Sequence, residues 1–86
     1  MERPPHDWPL ELKSLWFDAK ADWPSAHRLV DQEVGPMAMA IHAYLHRKEG
    51  DAMNAAYWYR RAGRSTPKLS LAEEHRLLVH EMIALQ

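Results

Sequence analysis

Apolar residues recur every three or four positions in each segment of the chain between its glycines and prolines. No segment shows the alternation of apolar and polar residues that is typical of a half-buried strand. Because spacings of three and four place side chains on one face of a helix, the pattern predicts an all-α fold. The predicted helices cover residues 8–20, 23–34, 36–49, 52–62 and the stretch from 70 onward.

Residues that favour helix ends stand at these boundaries. Asp22 and Asp51 can accept hydrogen bonds from free backbone N–H groups, and Pro24 lies in a first turn, where a helix tolerates proline. Ser70 and Glu73 have the spacing of a capping box. We expect the second helix to end with a left-handed glycine and the next two to end at glycines as well, at Gly35, Gly50 and Gly63.

The short connections between the helices predict two antiparallel helical hairpins followed by a C-terminal capping helix. The chain has 86 residues, of which 47% are hydrophobic, and this is material for one modest core. We therefore expect a single domain over residues 1–86. Residues 1–7 are predicted to form a flexible N-terminal segment, and residues 64–69 the loop before the last helix.

Charge and composition exclude several classes of site. The formal net charge is −1 and both signs are interspersed, so we expect neither a nucleic-acid nor a membrane partner. The chain has no cysteine, which excludes disulfides, thiolate metal sites and a cysteine nucleophile. Residues 1–9 lack the apolar run of an export signal, and the longest apolar run, residues 37–41, is too short to span a bilayer. A cytoplasmic protein is therefore expected.

Small and aromatic residues recur at defined offsets in the second predicted hairpin. The set consists of Gly50, Asp51, Ala55, Tyr59, Ala62 and Pro67. These offsets resemble the second half of a tetratricopeptide repeat, in which small residues let two helices approach and an aromatic ring fills the space between repeats. The string from His42 to Gly63 is also similar to a family of small bacterial proteins, and this likeness implies no particular activity.

The chain departs from the repeat at several core positions. The same alignment puts Met39, His42 and His46 where the repeat usually has tryptophan, leucine and tyrosine. Upstream, Asp22 precedes Asp51 by 29 residues, whereas the repeat is 34 residues long. The first unit is therefore degenerate or truncated, and the resemblance implies a short right-handed stack of tetratricopeptide-like hairpins.

The resemblance implies protein or peptide binding rather than catalysis. In such a stack the first helix of each hairpin lines the concave side. The third helix would present there a partner-binding stripe of Met37, Ala40, Tyr44, Arg47 and Lys48. Its aromatic ring and two cations suit a peptide with acidic groups. Because two and a half units bury little surface and leave open ends, a homodimer is a further expectation.

Two histidines suggest a metal site. His42 and His46 lie four residues apart, so both imidazoles project from one helix face at a spacing that can chelate a divalent metal. A third ligand could come from His27 or from Glu49. The glutamate of a metalloprotease helix is replaced by Ala43, so that class of enzyme is excluded.

Two other interpretations of this histidine pair remain open. If the imidazoles are buried in the hairpin, they would hydrogen-bond to the hydroxyl of Tyr57 or Tyr59, to Asp22 or to a loop carbonyl. Their protonation would then destabilise the fold in acid. An acid–base role would require a nucleophile or a positioned carboxylate, and the sequence indicates neither, so we expect no catalysis.

A basic and aromatic patch is predicted at the end of the fourth helix, formed by Trp58, Arg61 and Arg64. Mixed aromatic and cationic residues are typical of single-stranded nucleic-acid surfaces, and they also suit phosphate or acidic peptides. Trp58 and Arg61 are three residues apart and could instead stack on each other, while arginines in a last turn oppose the negative end of the helix dipole. We expect a solvated helix end here.

Overall fold

Residues 2–86 are described by a computed structural model, which contains five α-helices and no strand over that range. The helices are α1 (Leu10–Ala19), α2 (Trp23–Val30), α3 (Pro36–Lys48), α4 (Ala52–Arg61) and α5 (Leu71–Ala84). The predicted all-α fold is therefore confirmed for the described residues. None of the helices in this part of the chain combines the length and the hydropathy that crossing a bilayer requires.

The predicted capping residues form the expected hydrogen bonds. Asp22 and Asp51 each accept a bond from the backbone N–H three residues later, at 3.2 Å. Ser70 and Glu73 form both bonds of the capping box, at 2.9 and 3.1 Å. Each such cap stabilises its helix by about 1 kcal/mol, which is why local sequence is sufficient to place these helix starts.

The end of α2 differs from the prediction. This helix ends at Val30, four residues before the predicted end at Val34. Gly35 has a φ of −69° and a ψ of 149°, so it is extended and caps the start of α3 instead of ending α2. The ring of Pro36 disfavours helical backbone in the residue before it, which accounts for the extended Gly35. Nothing in this restriction reaches residues 31–34. The left-handed glycines lie after α3 and α4, at Gly50 and Gly63, with φ of 91° and 77°.

Helix α3 lies at the centre of the packing. It contacts all four other helices, and every residue from 38 to 46 is buried. Helix α1 packs mainly against α2, and α3 mainly against α4, while α5 packs against both α1 and α3. The main core is formed by Leu15, Ala26, Val30, Ala38, Ala40, Ile41, Tyr44, Leu45 and Leu78.

A buried carboxylate of α1 pairs with polar groups of α3. The hydroxyl of Tyr44 donates to Asp18 at 2.5 Å, and the Lys48 ammonium donates to the other carboxylate oxygen at 2.7 Å. Burial and the hydrogen bond to Asp18 raise the pKa of Tyr44 well above its usual value, so the hydroxyl keeps its proton and remains a donor. These bonds satisfy a charge that would otherwise be costly in the interior.

A second buried carboxylate ties α5 and α4 to α3. Glu74 accepts a hydrogen bond from the Arg47 guanidinium at 2.7 Å and another from the Tyr59 hydroxyl at 2.5 Å. Burial and the bond to Glu74 likewise raise the pKa of Tyr59 well above its usual value. Removing one hydrogen-bond partner of a buried carboxylate such as Glu74 leaves its charge without enough donors, which destabilises the fold.

The substitution Tyr59→Phe should therefore lower the free energy of unfolding by about 1.5–3 kcal/mol, because Glu74 loses one of its two side-chain donors. The matched control is Tyr57→Phe, since Tyr57 is 48% exposed, and its effect should stay within about 0.5 kcal/mol. Urea unfolding followed by circular dichroism measures both. Equal stability of the two variants would contradict the importance of the Glu74 contact.

Candidate metal centre

Three imidazoles meet where α2 packs against α3. His27 comes from α2, and His42 and His46 lie one turn apart on α3. The Nε2 atoms of His27 and His42 are 3.1 Å apart, and one ring nitrogen from each of the three histidines lies within 4.8 Å of the others. The fold therefore brings the residue that we expected as a third ligand, His27, to the histidine pair.

Two hydrogen bonds hold α2 at the position that makes this meeting possible. The hydroxyl of Ser14 donates to the Ala26 carbonyl at 2.8 Å inside the core. The indole N–H of Trp23 donates to the Leu45 carbonyl of α3, also at 2.8 Å. Ala26 is fully buried and directly precedes His27, so these contacts fix the histidine against the surface of α3.

Tryptophan rings form two walls of the cluster. Trp23 stacks on His27 with ring centroids 4.7 Å apart, and Trp58 of α4 stacks on His42 at 4.1 Å. Only 2% of His42 and 7% of His46 are exposed. In such surroundings charge is weakly hydrated, which matters most for His42, the more deeply buried of the two.

His42 is neutral at physiological pH. Burial lowers its pKa to about 4, with His46 and His27 acting in the same direction and Asp31 opposing them. A neutral imidazole carries the lone pair that a metal ion needs. No proton has to leave His42 before it can act as a ligand.

The hydrogen bonds of His42 are incomplete. Its Nε2 faces His27, while its Nδ1 is buried and has no hydrogen-bond partner within residues 2–86. An unpaired buried polar atom costs about 1–3 kcal/mol. The partners that we expected do not supply the missing bond, because the hydroxyl of Tyr59 donates to Glu74 and Asp22 caps α2. Those predicted bonds are therefore not formed.

The ring of His46 is oriented by the carboxylate of Glu49, which contacts its Nδ1 atom. Glu49 lies 2.6 Å from Nδ1 of His46, so this nitrogen donates to the carboxylate, and in the neutral ring the lone pair is then on Nε2. The Asn54 amide approaches that Nε2 only to 3.4 Å, a long contact. A carboxylate behind an imidazole is the usual way in which metal-binding histidines are held. Glu49, expected as an alternative third ligand, thus supports His46 instead.

A nearby carboxylate was not predicted from the sequence. The Oδ1 atom of Asp31 lies 3.8 Å from Nε2 of His27 and 3.9 Å from Nε2 of His42. Asp31 follows His27 by four residues, so both side chains lie on the same face at the end of α2. This spacing was the available signal in the sequence.

The predicted partner-binding stripe consisted of Met37, Ala40, Tyr44, Arg47 and Lys48. Its central residues Ala40 and Tyr44 are buried in the main core. Arg47 and Lys48 pair with the buried carboxylates of α5 and α1. The expectation that the stripe is open is therefore wrong for Ala40 and Tyr44, because α1 and α5 pack over it. Partner binding itself stays a prediction.

The residues of the predicted basic and aromatic patch, Trp58, Arg61 and Arg64, do not share one set of contacts. The Arg61 guanidinium lies 4.9 Å from the ring centre of Trp58 and 5.8 Å from that of Tyr57. Arg64 instead donates to Glu81 of α5 at 3.0 Å. Since Trp58 also stacks on His42, it belongs to the wall of the histidine cluster.

Comparisons of the chain with protein-family models, with curated proteins and with solved structures find no match. No family assignment follows from them, and the likeness to tetratricopeptide hairpins stays a prediction. The function is therefore argued from the chemistry of the site.

The metal-free protein, kept in chelator, should lose stability in mild acid. The pKa of His42 is about 4 in the fold and near 6.5 in the unfolded chain, so between these values only the unfolded chain binds the proton. The contribution of His42 is complete above pH 6.5 and is lost as the pH falls towards 4. From pH 7.5 to pH 5 this amounts to about 2 kcal/mol.

Urea unfolding at these two pH values measures the loss. The variant His42→Leu should flatten the dependence, whereas the exposed control His80→Gln should keep the wild-type dependence. The same loss in wild type and His42→Leu would show that His42 is not its source.

Proposed function

We propose that this protein binds a divalent transition-metal ion through His27, His42 and His46. The observation that carries the proposal is the meeting of three imidazoles from two helices, with two Nε2 atoms 3.1 Å apart. In a tetrahedral zinc site with Zn–N bonds of about 2.0–2.1 Å, neighbouring nitrogens are about 3.3 Å apart. The pair formed by His27 and His42 has nearly this spacing.

The donor set indicates the class of metal. Imidazole nitrogens suit zinc, copper(II) and nickel(II), whereas magnesium and calcium prefer oxygen ligands. The chain has no cysteine, so it offers no thiolate of the kind that favours copper(I). Zinc is therefore the appropriate first probe, with copper(II) expected to bind more tightly.

Binding would link two helices that are separate in the chain. Because α2 supplies one imidazole and α3 supplies two, the complete site exists only in the folded state. An ion at 100 times its dissociation constant then stabilises the fold by about 2.7 kcal/mol. The proposed role is thus a small helical module that holds a metal ion, without catalysis.

A protein-binding role is a separate proposal, and the pairing of α1 with α2 and of α3 with α4 supports its hairpin architecture. The stripe expected to contact a partner has two buried members, Ala40 and Tyr44. Metal binding is preferred because its residues already lie together.

Calorimetric titration of chelator-treated protein with zinc tests the proposal. We expect one ion per chain. The variant His27→Gln should bind at least about 100-fold more weakly, because a direct ligand matters more than an outer-shell partner, whose loss costs about 10–100-fold. His27 is only partly buried, so this variant should fold, which circular dichroism verifies.

The control is His80→Gln, which alters an exposed histidine of α5 and should bind zinc as wild type does. A wild-type protein that takes up no zinc would reject the proposal. So would equal zinc affinities of His27→Gln and His80→Gln.

A further inference from the structure

We infer that Asp31 is the fourth ligand of the metal ion, an inference that rests on the proposed function. The Asp31 carboxylate lies at the end of α2, one turn beyond His27. Its Oδ1 atom is 3.8 Å from Nε2 of His27 and 3.9 Å from Nε2 of His42, the two nitrogens that face each other at 3.1 Å. Three donor atoms from two helices therefore form one triangle.

The size of this triangle matches an ion. The point equidistant from three atoms with separations of 3.1, 3.8 and 3.9 Å lies about 2.1 Å from each of them. Zinc bonds are about 2.0–2.1 Å to imidazole nitrogen and about 2.0–2.2 Å to carboxylate oxygen. An ion at that point lies in the plane of the three donor atoms, at bonding distance from each of them. A tetrahedral set requires shifts of these side chains that bring the ion out of the plane and towards His46, the remaining imidazole, whose ring nitrogen lies within 4.8 Å of those of His27 and His42.

Asp31 is also the carboxylate whose lone pairs are available. Within residues 2–86 it accepts no hydrogen bond, and its charged contacts are with His27 and His42. The two other carboxylates near the cluster are engaged, since Glu49 holds Nδ1 of His46 and Asp51 caps α4. The Asp31 side chain is 45% exposed, so an ion can reach it from solvent.

This ligand decides what kind of site the cluster forms. Three neutral imidazoles would leave a divalent ion with its full charge in an enclosed place, and the carboxylate offsets half of it. Four protein ligands also fill a tetrahedral set, as in structural zinc sites, whereas catalytic zinc sites keep one position for water. The site therefore retains its ion instead of activating a bound water.

The test compares wild type with Asp31→Asn, which keeps the shape of the side chain and removes its charge. Its matched control is Glu33→Gln, an exposed carboxylate two residues further along the same connection. Zinc affinity is measured by competition with a chelator. We expect Asp31→Asn to bind at least about 100-fold more weakly, because loss of an outer-shell partner already costs about 10–100-fold, and Glu33→Gln to match wild type.

Cobalt(II) supplies a readout of coordination as well as of affinity. Replacing a ligand changes the visible absorption of the bound cobalt, whereas loss of a nearby charge that is not a ligand leaves the spectrum as it was. We expect Asp31→Asn to alter the cobalt spectrum and Glu33→Gln to leave it unchanged. The metal-free forms of both variants should unfold at the wild-type urea concentration, which excludes a folding defect.

The outcomes separate this inference from the proposed function. If wild type binds zinc and Asp31→Asn binds it equally well, the inference is overturned and the three-histidine site stands with an open position. Weaker binding with an unchanged cobalt spectrum also overturns it, because Asp31 would then act through its charge alone. If wild type binds no zinc, the proposed function and the inference both fall.

Discussion

The enclosure of α3 by the other four helices is the constraint on which the remaining structure depends. Residues 38–46 are all buried, although His42, Tyr44 and His46 carry polar groups. A polar group in the interior must be paired or it destabilises the fold. The neighbouring elements must therefore supply partners, and this requirement explains the buried carboxylate of Asp18, which accepts from Tyr44. The buried Glu74 meets the same need of Arg47, the next residue of α3, and of Tyr59 on α4.

These polar residues of α3 are satisfied unequally. Tyr44 donates to Asp18 at 2.5 Å, and His46 faces Glu49 at 2.6 Å. His42 meets only a second imidazole, and its other nitrogen has no partner in the described chain. A contact between two Nε2 atoms needs a proton on one of them, whereas a metal ion uses the lone pairs of both. The contact between the two Nε2 atoms is thus the part of the network that a metal suits, while Nδ1 of His42 has no partner in the described chain with or without an ion.

Local signals in the sequence predicted the helices well. Capping residues and helical spacing act over a few positions, so they placed every predicted helix end within two residues except the end of α2. The same spacing identified the pair His42 and His46. Distant pairing could not be predicted this way. Asp18 meets Lys48 across 30 residues, and a charged residue is normally assigned to the surface.

The open stripe was expected for a related reason. Periodicity tells which residues share a face of α3, but it does not tell which helix covers that face. The packing of α5 against α1 and α3 decides this, and it buries Tyr44. Asp31 could be predicted only in part. Its spacing of four residues from His27 can be seen in the sequence, but its contact with His42 depends on how α2 packs against α3.

Histidine at position 42 is costly for folding alone. A leucine there, as in the repeat that the hairpin resembles, would have no unpaired nitrogen and no depressed pKa. The lowered pKa and the orphaned Nδ1 of His42 both measure how poorly the interior accommodates this imidazole. Local rules of packing are most often broken where a protein has a function to perform. The desolvated, neutral imidazole of His42 and its close contact with His27 weaken the metal-free fold, and they are also the features that favour a metal ion.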